Sequence, residues 1–119
     1  MARATIAPIV LNGFEALAPP TATTINAAND MLLPVSKRAR AMILEITNTD
    51  TSPHDVTFPS LGTTPFAVTI ANGTTKMINV PVGDTASLDS EVVSGVRSIH
   101  IDFATGHTGA VSAYEVVRF

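Results

Sequence analysis

Apolar and polar residues alternate with a two-residue period over three stretches of this chain. The first is residues 40–58, RAMILEITNTDTSPHDVTF. Met42, Leu44 and Ile46 fall on one side of it, and Glu45 and Thr47 are among those on the other. Successive side chains of a β-strand point to opposite faces, so this spacing predicts a strand over residues 41–48. Residues 49–53 are turn formers, in which Asp and Ser side chains bond to nearby backbone and Pro53 fixes φ. Val56 and Phe58 mark a return strand that Pro59 closes.

The pattern returns at residues 66–80 and 98–119. Phe66, Val68 and Ile70 form one apolar series, followed at once by Asn72-Gly73. Asn-Gly is the strongest short hairpin signal, because a type I′ turn needs positive φ at both central positions. A partner strand over 74–80, stopped by Pro81, is therefore expected. Ile99, Ile101 and Phe103 then alternate with His100 and Asp102, and a two-glycine loop over 104–109 leads into a last strand from Ala110 to Phe119. Each unit reads as strand, turn, strand, which predicts hairpins packed face to face.

The remaining segments add little regular structure. Residues 30–35 make a short strand ending near Pro34, an edge or a strand end. Residues 83–95 are a longer acidic connection carrying Asp84, Asp89 and Glu91, in which Val92-Val93 could add a short strand. No stretch reads as a helix. The fold class expected is all-β: an antiparallel β-sandwich, jelly-roll or Ig-like, of about seven to eight strands. An open single sheet would leave one apolar face and both edges exposed.

Residues 1–29 differ from the sandwich domain expected over 30–119. They are rich in Ala, Thr and Pro, and Pro8, Pro19 and Pro20 remove backbone donors and favour extended backbone. Two expectations stand for this segment. It is an extended N-terminal arm that wraps a neighbouring subunit, or an edge strand and surface loop of the same domain.

Composition sharpens this picture. Of the 119 residues, 45% are hydrophobic and only 14% charged, against about 25% charged in an average soluble domain. So few charges suit a protein that hides surface in an assembly, although a Thr/Ser/Asn-rich surface would also keep a monomer soluble. The net charge of −3 gives no general reason to expect nucleic acid. Its placement is uneven: Arg3, Lys37, Arg38 and Arg40 outweigh Glu15 and Asp30 in residues 1–40, and the rest of the chain is acidic. A basic front segment docking on an acidic neighbour, such as another copy, fits this asymmetry, as does ordinary solvated surface. There are no cysteines, so disulfides and thiolate metal sites are excluded. Pro8, Asn12, Gly13 and Glu15 interrupt the apolar residues near the start, so no signal peptide is expected. No apolar run approaches the roughly 18 residues of a membrane helix, and no membrane partner is expected.

Candidate chemistry is sparse. His54-Asp55 could orient a histidine as a base, yet no Gly-x-Ser-x-Gly elbow supplies a nucleophile. His100 and Asp102 share a strand face and could bind a metal with His107, though without a spacing signature. Solvated polar groups opposite an apolar face explain them as well. Asn72-Gly73-Thr74 matches a glycosylation pattern but already has a turn to make. Lys37, Arg38 and Arg40, with Arg3, are the candidate partner-binding residues, suited to an acidic protein surface. The aromatics are few and mostly core-facing, which argues against nucleic-acid stacking. No enzyme activity and no cofactor are expected.

A pattern of segments carries one family resemblance. A Thr/Ala-rich stretch over residues 12–30 leads into AMILEITNT, then DVTF, then VTIANGTTKMINVPVG, and last GAVSAYEVVRF. In this order the chain resembles small tailed-bacteriophage head decoration, or cement, proteins and their β-sandwich relatives. Val80-Pro81-Val82-Gly83 stands where those proteins carry a Val-Pro-Ala-Gly-like turn, while residues 83–95 lack their aromatic-rich Gly-Pro-Phe stretch. The resemblance implies a non-enzymatic virion protein, made in the host cytoplasm and placed on the capsid exterior. Its partner would be the major capsid protein, braced by a homo-oligomer, dimer or trimer. Two alternatives remain: a head–tail joining or tail protein of the same fold, and a carbohydrate-binding sandwich, for which Tyr114 is the candidate aromatic.

Overall fold

The computed structural model describes residues 3–11, 22–36, 39–60, 65–81 and 88–117, without the side chains of Arg40, Pro81 and Val117. Among them are eleven strands and no helix. These are β1 (Ala4–Thr5), β2 (Ile9–Leu11), β3 (Thr23–Thr24), β4 (Met31–Pro34), β5 (Ala39–Asn48), β6 (His54–Phe58), β7 (Phe66–Ile70), β8 (Thr74–Pro81), β9 (Ser90–Val93), β10 (Val96–Phe103) and β11 (Ala110–Val117). The first sheet runs β1-β4-β10-β6-β7, with β9 also beside β10, and the second runs β2-β11-β5-β8, with β3 also beside β11. Met31, Leu33, Ile99, Ile101 and Val56 of the first sheet meet Met42, Leu44, Ile46, Val111 and Ala113 of the second in one buried cluster. The chain is an all-β sandwich.

Two details depart from the expected antiparallel sandwich. The strand number is higher because β1, β2 and β3 are only two or three residues long, too short to produce a readable alternation. Both sheets are also mixed, since β1 lies parallel to β4 and β2 parallel to β11. Each parallel pair involves a strand from residues 1–29, whose described parts lie along this chain's own sheets. Ile6 is fully buried and Ile25 nearly so, both within the core cluster. Arg3 donates from Nη1 to Asp102 Oδ1 at 2.7 Å, tying the start of the segment to β10.

The three strand–turn–strand units are not hairpins. β5 belongs to the second sheet and β6 to the first, β7 to the first and β8 to the second, β10 to the first and β11 to the second. Each turn therefore carries the chain across the sandwich. Alternation fixes which face of a strand is buried, and it reads the same whether two strands pair edge to edge or face each other. At Asn72-Gly73 the φ value is positive at Gly73 (71°) but not at Asn72, so the turn is not type I′. A type I′ arrangement occurs instead at Ser94-Gly95, with φ of 51° and 81°, where β9 and β10 form a hairpin pairing Val93 with Val96. The other hairpin joins β6 to β7.

Candidate functional site

The antiparallel order brings the three crossing turns, residues 49–53, 71–73 and 104–109, to one end of the sandwich. Asn48, fully buried at the end of β5, organises this end. Its Nδ2 donates to Ser52 O at 2.9 Å and Ile70 O at 3.0 Å, and its Oδ1 accepts from Asp50 N at 3.0 Å. Its carbonyl accepts from Gly73 N at 2.8 Å. A single side chain thus links the ends of β5 and β7 to the first crossing turn.

Beside it lies a row of ionisable groups. His54 Nε2 and Asp50 Oδ2 are 2.6 Å apart, and the His54 ring stacks on His107 with centroids 5.5 Å apart. Phe103 meets the other ring edge-on at 5.4 Å. Asp55, next to His54 in sequence, points away to the opposite strand face and accepts from Thr69 Oγ1. His107 is only 2% exposed, and its Nε2 lies 3.3 Å from Thr47 O. A carbonyl oxygen only accepts, so Nε2 carries the proton, and the Nδ1 lone pair is buried without a hydrogen-bond partner. His54 Nε2 is committed to a carboxylate and its ring rests on another imidazole, so this row is not a base paired with a nucleophile.

Burial holds the His107 imidazole below the ordinary histidine pKa, and the hydrogen bond from His54 holds the Asp50 carboxyl below its usual range. The unfolded chain therefore binds a proton at residue 107 more readily than the folded one. The contribution of neutral His107 to stability is present above its unfolded pKa of about 6.5 and is lost as pH falls from there toward its folded value. We expect the urea midpoint to drop across this window. His107→Phe should flatten that drop, whereas an unchanged slope would place its origin elsewhere.

The other sequence candidates are held separately. His100 and Asp102 share the outer face of the first sheet, as their spacing predicts. His100 Nε2 lies 3.3 Å from Glu91 and its Nδ1 3.9 Å from Asp89, while Asp102 is taken by Arg3. Opposite ring nitrogens facing different carboxylates cannot converge on one ion, and His107 belongs to the crossing turns. Among the described residues no group of three or more such side chains is placed to hold a metal. Of the candidate partner-binding residues, Arg3 braces this chain's own sheet, Lys37 and Arg38 lie outside the described residues, and Arg40 is placed only by its backbone in β5.

The two outer faces differ in chemistry. On the first sheet the outer face carries Asp55, Thr57, Glu91, His100 and Asp102. On the second, the register sets Ile9 beside Tyr114 beside Ile43, and Leu11 beside Val116 beside Ala41. Met77, 66% exposed, sits next to Glu45 on the same face. Tyr114 donates its hydroxyl to Glu45 at 2.6 Å, which raises the phenol pKa and commits the one tyrosine within the sheet. Residue spacing alone could have revealed this apolar outer row, since Ala41, Ile43 and Tyr114, Val116 occupy the positions opposite the core series. Comparison with protein-family models, with curated proteins and with solved structures finds no match to this chain.

Proposed function

We propose that this chain is a non-enzymatic virion structural protein that binds the outer surface of a phage capsid and stabilises contacts between major capsid protein subunits. The observation that carries the reading is the two-sided sandwich, whose first sheet faces outward with polar and acidic groups and whose second presents Ile9, Leu11, Ile43, Met77 and Val116. A face of that kind works by burying surface, and exposed apolar area of this extent marks interaction sites. The low charge of the chain and the order of segments it shares with decoration proteins support the same role. Repetition over a symmetric shell gives avidity, so each copy needs only modest affinity.

Purified protein added to undecorated, expanded heads should bind and raise their resistance to heat or chelator. Replacing Lys37, Arg38 and Arg40 together by Ser should weaken that binding in a salt-sensitive manner, because exposed charges are screened within about 10 Å at moderate salt. Heads that neither bind the protein nor gain resistance would refute the proposal.

A further inference from the structure

The open edge of β8 is a second, distinct interaction surface. β8 pairs with β5 through eight consecutive residue pairs without a bulge, and its other edge has no strand beside it among the described residues. Natural edge strands are normally protected by prolines, bulges or outward-reaching lysines. Here the proline, Pro81, stands at the very end of the strand. The one charged residue, Lys76, reaches across to the other sheet and donates from Nζ to Thr69 O on β7 at 2.9 Å. The lysine thus occupies a backbone acceptor of β7 and leaves the edge of β8 unguarded. Along the outer row of that edge lie Thr75, Met77 and Asn79, all exposed, with Met77 at 66% the most exposed large hydrophobic residue described.

We propose that this edge pairs with the same edge of a second copy, antiparallel about a two-fold axis through Met77, joining two second sheets into one continuous sheet. The register follows from strand geometry and charge. Residues directly opposite each other in an antiparallel pair share a face, so the axis must pass through a residue and not between two. An axis at Lys76 would set two like charges opposite each other, which is destabilising. An axis at Ile78 would place Met77 against Asn79 of the second copy. The axis at Met77 alone sets methionine on methionine, Thr75 beside Asn79 and Lys76 beside Ile78, with no like charges opposed. This interface is isologous, as closed two-fold dimers require. It needs only a second copy of this chain and stands apart from the capsid reading.

The chain has no cysteine, so a single introduced thiol reports on one position. Directly opposed residues have Cα atoms about 4.5–5.5 Å apart, a span that a disulfide bridges. Under mild oxidation, full-length Met77→Cys should form a linked dimer at least about tenfold faster than Val92→Cys, whose site on β9 is comparably exposed at 60%. Thr75→Cys and Asn79→Cys should each link poorly alone and rapidly when mixed. Wild-type protein should sediment as a dimer at high concentration with no heads present. Equal linking rates at positions 77 and 92, or a wild-type monomer at every concentration, would overturn the proposal.

Discussion

Alanine at Gly109 will destabilise the fold by about 3 kcal/mol or more, among the largest effects a single substitution produces. Gly109 has φ of 138°, and a Cβ there would lie 2.1 Å from Thr47 O and 2.9 Å from Thr47 C. Both contacts are to backbone that cannot retreat. Thr47 O also faces His107 Nε2, Thr49 N donates to Thr108 O at 2.8 Å, and Ile25 N donates to Gly109 O at 3.0 Å. The third crossing turn, the end of β5 and the strand after the N-terminal segment are pinned together at this point. Gly106 is the control: its φ of 90° is also positive, but a Cβ would meet only the His54 ring at 3.6 Å and Asp50 Oδ2 at 3.8 Å. Gly106→Ala should therefore cost only backbone strain, about 1 kcal/mol. Urea unfolding of both variants checks this through the midpoint at constant slope. Equal costs at the two positions would contradict the close approach of the turn to β5.

Removing the side chain of Asn48 will cost about 3 kcal/mol, because it strands buried polar groups rather than merely deleting bonds. Asn48→Ala leaves Ile70 O without the Nδ2 donor that reaches it at 3.0 Å inside the protein. It also removes the acceptor that holds Asp50 N, and with it the placement of the carboxylate beside His54. Asn48→Asp should be at least as damaging at neutral pH, since a carboxylate keeps the acceptor but has no donor for Ser52 O or Ile70 O. Hydrogen exchange offers a local readout. The Asp50 amide should lose protection in Asn48→Ala, while amides in the β9–β10 hairpin keep theirs until global unfolding. Loss of protection confined to the hairpin would refute this role for Asn48.

The sequence made the strands legible and left their pairing open. Met42, Leu44 and Ile46 announce a buried face, and so do Ile99, Ile101 and Phe103, but nothing in a two-residue period states which sheet a strand joins. Asn72-Gly73 carried the stronger turn chemistry, yet the type I′ turn formed at Ser94-Gly95. The crossing at 71–73 is imposed by β7 finding β6 and β8 finding β5, a tertiary choice that local propensity does not encode. Short strands such as β1 and β2 exist because β4 and β11 offer them edges, so no internal pattern marks them.

The ionisable row was partly within reach. Adjacent residues of a strand point to opposite faces, which already separates His54 from Asp55 and directs attention to groups across the turn. Asp50 lies four residues earlier, at the far side of a turn that folds back, and it is the partner found at 2.6 Å. The stacking of His54 on His107 spans more than fifty residues and could not be read from spacing. The shared outer face of His100 and Asp102 was legible, but not their separate engagement by carboxylates and by Arg3.

The account's central claim is that this sandwich binds a capsid lattice through repeated contacts. Cryo-electron imaging of expanded heads incubated with the purified chain tests it most directly. The account predicts density of the sandwich at equivalent positions over the whole outer shell, with the first sheet's polar face toward solvent. Bare shells, or density confined to a single ring at the neck, would contradict it.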